Sequence, residues 1–238
     1  MSNDQQLTKL QGHVLIFSEE LRDLILTFEM LVPIAEDNEL LKKFSGTKQA
    51  FGLEIIRGSL IQECILGITK LTYDPEPQNP TAKTLIKGIA TLPSDLLAKL
   101  KDALSVPIKA VPAANRPVTE ADRQILAEIE QMDAEELRRD FDQYWLELKK
   151  EWAWFEEHRN TFLQLRDKRF AHLDVKLVDQ QYQLTDVKGP DWSTVKDAVR
   201  RLVRVAELLL TLVDRKGEGF DQTTEIAKRI AADYWQGH

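Results

Sequence analysis

The sequence predicts an all-α helical bundle. Long stretches carry apolar residues at alternating steps of three and four, the period of one helix face. Segments that read as strands are few and short, and they fall after residue 174. Hydrophobic residues make up 43% of the 238-residue chain and charged residues 30%, so the apolar faces belong to a globular core.

The first element spans residues 2–32. Leu7, Leu10, Val14, Phe17, Leu21, Leu24, Phe28 and Leu31 form a heptad-type stripe, and Pro33 is expected to close the helix. Such a stripe needs a partner, within the chain or across a dimer. Residues 38–73 read as mostly helix with an irregularity at Ser45-Gly46-Thr47. That segment is apolar around much of its circumference, which places it centrally in a bundle. Gly52, Gly58 and Gly67 are costly in a helix, and close helix approach would compensate them.

Asp74-Pro75-Glu76-Pro77-Gln78-Asn79-Pro80 is a turn or loop, with Asn79 as the expected N-cap of a short helix ending near Ala90. Ser94 caps another, to about Leu104. Pro107, Pro112 and Pro117 make 105–118 an extended connector. It is not a domain boundary, because the later apolar faces need the earlier ones; residues 1–238 are expected to form one domain.

Helix resumes at Thr119, and Asp133 is expected to cap a segment running to about His172. Its stripe of Phe141, Tyr144, Trp145, Leu148, Trp152, Phe155 and Phe162 has the spacing of a buried face rather than of a base-stacking platform. Val175–Val178 and Tyr182–Leu184 are short strands or loop. Asp191 or Ser193 opens a helix to about Asp214, and a last one runs from Asp221 to about Trp235.

Several function classes lose support. Net charge is −7, against broad charge-driven nucleic-acid binding. The four histidines, His13, His158, His172 and His238, do not pair at zinc-ligand spacing, and no Gly-rich phosphate loop or HExxH is present. No metal or cofactor is expected. A single cysteine, Cys64, suits a reducing compartment, and the apolar run 203–213 is too short and too charged for a membrane span. The expected location is cytoplasmic, away from membranes.

Positive charge gathers in two places on this acidic background. One holds Arg159, Arg166, Lys168, Arg169 and Lys176; the other holds Lys196, Arg200, Arg201 and Arg204. Either alone reads as a solvated helix face. The first also contains a histidine. A fixed cation beside a group that titrates near neutral pH suits phosphodiester cleavage. Arg166 and Arg169 share a helix face, as do Arg169 and His172, but Arg166 and His172 do not face each other on a straight helix. Acting together would require the helix to break near His172 or two protomers to share the site.

Arg166-Asp167-Lys168-Arg169-Phe170-Ala171-His172, followed by Leu173-Asp174, resembles the signature of the HEPN superfamily, and more narrowly its abortive-infection U-type branch. That signature is an arginine, usually followed by a polar residue, and a histidine a few residues on. The flanks resemble it more loosely: the helix from Trp152, the start at Asp191-Trp192, and Leu60 to Asp74.

The resemblance implies a HEPN-like bundle of long antiparallel helices, at most a minor β-hairpin after residue 174, and a homodimer in which two motifs meet. It implies a metal-independent endoribonuclease in phage defence or a toxin–antitoxin-like system, with Arg166, Asp167 and His172 as catalytic candidates. Lys168, Arg169 and Lys176 would hold the RNA backbone. The alternative is a non-catalytic module that binds RNA, nucleotide or protein. Where toxins paired with nucleotidyltransferase antitoxins often carry a tyrosine, this chain has Asp174, which makes that particular antitoxin partner the less expected one.

Overall fold

The computed structural model describes residues 3–74, 79–104, 120–167, 175–178, 181–184, 190–214 and 220–236. The described residues form eight helices and one hairpin: α1 (Asn3–Glu36), α2 (Asn38–Phe44), α3 (Lys48–Thr72), α4 (Ala82–Ala90), α5 (Ser94–Leu104), α6 (Glu120–Leu165), β1 (Val175–Val178), β2 (Gln181–Leu184), α7 (Trp192–Asp214) and α8 (Asp221–Gln236). The strands are antiparallel, with Val175 opposite Leu184 and Val178 opposite Gln181. The Pro-containing connector expected at 105–118 lies outside the described residues.

α1 is the axis of the bundle. Of its stripe, Val14, Phe17, Leu21 and Leu31 are fully buried, and Leu10 and Leu24 nearly so. The partner is intramolecular, because α1 packs on α3, α7 and α8. That removes the stripe as a reason to expect a dimer. Contacts fix the directions. Lys70 Nζ bonds Glu20 Oε2 at 2.7 Å while Gly67 touches Leu24, so α1 and α3 run antiparallel. Gln11 Nε2 donates to the Val213 carbonyl and Lys196 Nζ to Glu36 Oε1, so α1 and α7 do too.

Pro33 does not close α1, which continues to Glu36. Its missing N–H leaves the Glu29 carbonyl without the usual helical donor. The Asp37 N–H restores the ladder at the Pro33 carbonyl (2.9 Å), and the burial of Leu31 and Ile34 holds both sides of the proline in the core.

The break at Ser45-Gly46-Thr47 is where expected. α2 ends at Phe44, Gly46 adopts φ +75°, and α3 begins at Lys48. The glycines of α3 divide. A Cβ on Gly67 would stand 3.0 Å from Leu24 Cδ1, so α1 approaches closely there and the Leu24 side chain would have to give by a few tenths of an ångström. Gly52 and Gly58 face open space, and close approach does not explain them. Nor is α3 central along its whole length: Ile65, Ile68 and Leu71 are buried, but Phe51 (75%) and Ile55 (54%) are exposed.

The start of α4 also differs. Thr81, not Asn79, is the N-cap. Its hydroxyl accepts from the Thr84 N–H while its own N–H donates to Thr84 Oγ1, a reciprocal pair that satisfies two orphan donors. At α7 the two candidates resolve to Asp191, whose Oδ1 accepts the Thr194 N–H at 2.7 Å.

α6 is 46 residues long, about 69 Å at the helical rise. Asp133 lies inside it rather than capping it, and the helix ends at Leu165, before the basic segment. Phe141, Leu148, Phe155 and Phe162 are buried, as a core stripe requires. All these faces contribute to one cluster of buried side chains.

Candidate functional site

The C-terminal ends of α3 and α6 meet. At the end of α3, the N–H groups of Tyr73 and Asp74 both reach the Thr69 carbonyl, at 2.8 and 3.2 Å. Tyr73 then turns into the core, where its hydroxyl donates to the Phe155 carbonyl at 2.5 Å. Burial raises the Tyr73 pKa above that of an ordinary phenol. This bond ties the end of α3 to the last third of α6. It leaves Asp74 at the surface, aimed along α6 toward its terminus.

Arg166 meets it there. The chain leaves α6 through a π-type turn at 166–167, a form that recurs at functional positions. Arg166 Nη1 donates to Asp74 Oδ2, and Nε and Nη2 both reach Asp167 Oδ1 at 2.6 Å. The guanidinium is therefore gripped from two sides. Hydrogen bonding to Asp74 raises its already high pKa, so it is a permanent cation. Arg166 is 22% exposed, Asp74 40% and Asp167 52%, so the cluster opens to solvent.

Of the catalytic candidates, Arg166 and Asp167 are thus in contact. His172, Lys168 and Arg169 lie outside the described residues. Lys176 belongs to β1, opposite Gln183. Asp74 is the partner of Arg166 that sequence reasoning does not identify, since it reads there as the start of a loop and the end of a loosely resembling flank. It lies 92 positions from Arg166, and no periodicity or motif connects the two.

One turn-pair before Arg166 on the same face stands Arg159, seven residues earlier and exposed. Its guanidinium carbon is 6.0 Å from the centroid of the Tyr73 ring, at the outer reach of a cation–π contact.

The second basic cluster is different. Arg201 Nη1 bonds Glu151 Oε2 at 2.5 Å, and Arg204 Nε bonds Glu147 Oε1 at 2.7 Å, stapling α7 antiparallel to α6. Lys196 bonds Glu36 at 2.7 Å, and Arg200 lies 3.6 Å from Asp197. Arg204 and Lys196 hold the Glu147 and Glu36 carboxyls below the usual carboxylate range. Here the solvated-face reading gives way to packing: Arg201 and Arg204 are part-buried bridges to α6, and Lys196 and Arg200 also have acidic partners.

The remaining chemistry is structural. His158 stacks on Trp154 with centroids 4.0 Å apart, its Nδ1 2.9 Å from the Trp154 carbonyl. Burial lowers the pKa of His13 and pushes the Cys64 thiol up to about 12. Among the described residues, no group of three His, Cys, Asp or Glu side chains could hold a metal ion. None of the described helices is long and apolar enough to cross a membrane.

The profile of the HEPN AbiU2 family matches residues 7–234. The chain belongs to that family. It is a HEPN-type abortive-infection module with an all-α fold, and the matched span covers α1 through α8 almost entirely. No curated protein and no solved structure matches it.

Proposed function

We propose that this AbiU2-type module is a metal-independent endoribonuclease acting in phage defence or a toxin–antitoxin-like system. The observation that supports this reading is the doubly gripped Arg166. Asp74 and Asp167 fix a permanent cation at the end of α6, six residues before the histidine of the family signature. A preorganised cation stabilises charge that develops on phosphorus in the transition state without reorganising at that moment. His172 acts as general acid or base on the 2′-hydroxyl or the leaving oxygen. Asp167 orients Arg166. Lys168, Arg169 and Lys176 hold the RNA backbone, and Arg159 extends that track along α6. Two copies of the motif work as a pair in a homodimer.

The test is cleavage of structured and single-stranded RNA by the purified protein in EDTA. Wild type cleaves, and His172→Ala reduces the rate by about 10²–10⁴-fold, the usual contribution of general acid–base catalysis. No cleavage, or His172→Ala cleaving as well as wild type, overturns the reading. Light scattering at micromolar protein expects the mass of two chains, and a monomer mass counts against the paired site.

A second reading draws on the same cluster. Two carboxylates on one guanidinium also suit a non-catalytic HEPN module that binds RNA or nucleotide. That module would retain RNA in a filter assay, lose it on Arg159→Ala, and show no cleavage product.

A further inference from the structure

Exposed apolar side chains gather where α1 and α8 lie side by side. Ile226, Ile230 and Tyr234 follow one another at steps of four along α8, so they share a face. All three are exposed, Tyr234 at 62%, while Ala227 and Ala231 are buried on the core side of the same helix. On α1, Leu15 and Leu26 are also exposed. They are eleven residues apart, which brings them within about 20° of each other around the helix.

The two strips adjoin. Leu15, Arg22 and Ile226 line one cleft of about 810 Å³, and Trp235 Nε1 donates to the Met30 carbonyl at 2.9 Å. Position 22 is thus beside 226 and position 30 beside 235. The helices run parallel, and Leu26 comes level with Ile230. Five half-exposed side chains of this size present on the order of 400 Å² of apolar surface, as large as the biggest patch of an ordinary monomer. It is also about the apolar share of the roughly 800 Å² that each chain gives to a standard interface.

We propose that this face of α1 and α8 is a self-association surface, on which a second copy of the chain docks about a two-fold axis through Leu26 and Ile230. Each helix then lies antiparallel to its own copy. Leu26 and Ile230 meet their counterparts on the axis, and Ile226 stands level with Tyr234 of the other copy. The charges at the margin favour this occupant. Arg229 and Asp233 lie on the same flank of the α8 strip, both exposed, and neither makes an ion pair among the described residues. Reversal about Ile230 brings Arg229 of one copy within about 3 Å, along the helix axis, of Asp233 of the other. Two such pairs form, one on each side of the axis, so the face is complementary to itself in charge as well as in apolar surface.

Neither α1 nor α8 carries a residue of the Arg166 cluster, so the contact stands whether or not the protein cleaves RNA. The cleavage assay tests the one reading and solution masses the other, and either can fail alone.

The experiment is sedimentation equilibrium on the full chain at micromolar concentration, with circular dichroism as the check on folding. Wild type is expected at the mass of two chains, and a monomer mass overturns the proposal. Ile230→Asp sets two carboxylates against each other on the axis and is expected to raise the dissociation constant by about 30-fold or more, the effect of losing a central contact. Ile55→Asp, on the exposed face of α3, keeps the wild-type mass. Dissociation by Ile55→Asp in place of Ile230→Asp overturns the proposal. Should Ile230→Asp fail to fold, the margin decides. Arg229→Asp weakens the dimer about tenfold by placing like charges together, and adding Asp233→Arg restores it to within about twofold of wild type. A double variant no tighter than Arg229→Asp overturns the proposal, because a pairing within one chain would leave the mass unmoved by either change.

Discussion

The two basic clusters have similar composition and opposite architecture. Along α7, the partners of Arg201 and Arg204 come from the flank of α6, helix against helix, and the pairs hold two elements together. At the end of α6, Arg166 takes its partners from the residue beside it and from the terminus of α3. In the first case the guanidiniums are consumed by packing. In the second the guanidinium is held in one orientation just past the end of α6 at Leu165, between two partly exposed carboxylates. A cationic residue becomes a candidate for chemistry when its partners fix it at the end of an element rather than along a packed flank; burial does not separate the clusters, since Arg166 is 22% exposed and Arg201 and Arg204 are 34% and 41% exposed.

Removing the cations separates the clusters most sharply. Arg166→Ala is expected to lower RNA cleavage by about 10²–10³-fold, the cost of losing one preorganised electrostatic contact to the transition state. Arg204→Ala should leave cleavage within about twofold, because its guanidinium is spent on Glu147 and Glu207. Equal losses in both variants would mean that the clusters do not differ as described. The next effect concerns the scaffold that carries Asp74. Gly67→Ala drives a Cβ to 3.0 Å from Leu24 Cδ1, and overpacking of this kind costs roughly 1–3 kcal/mol in urea unfolding. Gly52→Ala, with open space around it, should instead add about 0.5–1 kcal/mol through helix propensity.

Asp74→Asn is a finer cut, keeping an acceptor for Arg166 while removing its charge. Cleavage should fall by about tenfold, with the fold intact by circular dichroism, as expected when one charge-assisted hydrogen bond becomes neutral. Unchanged cleavage would confine Asp74 to holding the loop. The smallest effect belongs to the staple. Arg204→Met should cost no more than about 1 kcal/mol at neutral pH, since both partners are partly solvent-exposed. Its sign with pH is defined. Arg204 depresses the folded-state pKa of Glu147 below 4.5, so the pair stabilises above that value and its contribution disappears as pH falls through the folded-state value. Melting curves of wild type and Arg204→Met should therefore separate above the ordinary carboxylate range and converge as pH falls below it.

Much of the architecture was legible because it follows from local periodicity. Most of the stripes of α1 and α6 are buried, with Leu7, Phe28, Tyr144, Trp145 and Trp152 half-buried at their margins, and Gly46 marked the break between α2 and α3. The failures have physical causes. Pro33 was read as a stop because proline lacks a donor, but the buried neighbours Leu31 and Ile34 carry the helix past it. Asn79 reads as the N-cap because Asn-Pro is a strong local signal, whereas the reciprocal Thr81–Thr84 pair needs two side chains in register. The apolar circumference of α3 suggested a central helix, yet Phe51 and Ile55 are exposed, since periodicity reports a face but not whether anything covers it. At the site, Arg166 and Asp167 stood out by motif, and Asp74 did not.

By itself the amino-acid order determined what depends on near neighbours: helices, their faces, the break at Gly46, and the motif from Arg166 to His172. Which charges were free was decided only in three dimensions. Arg204 and Arg166 are indistinguishable as letters, because a counter-ion on another helix leaves no trace in local spacing. Desolvation and long-range pairing act through space, so their outcome waits for the helices to assemble.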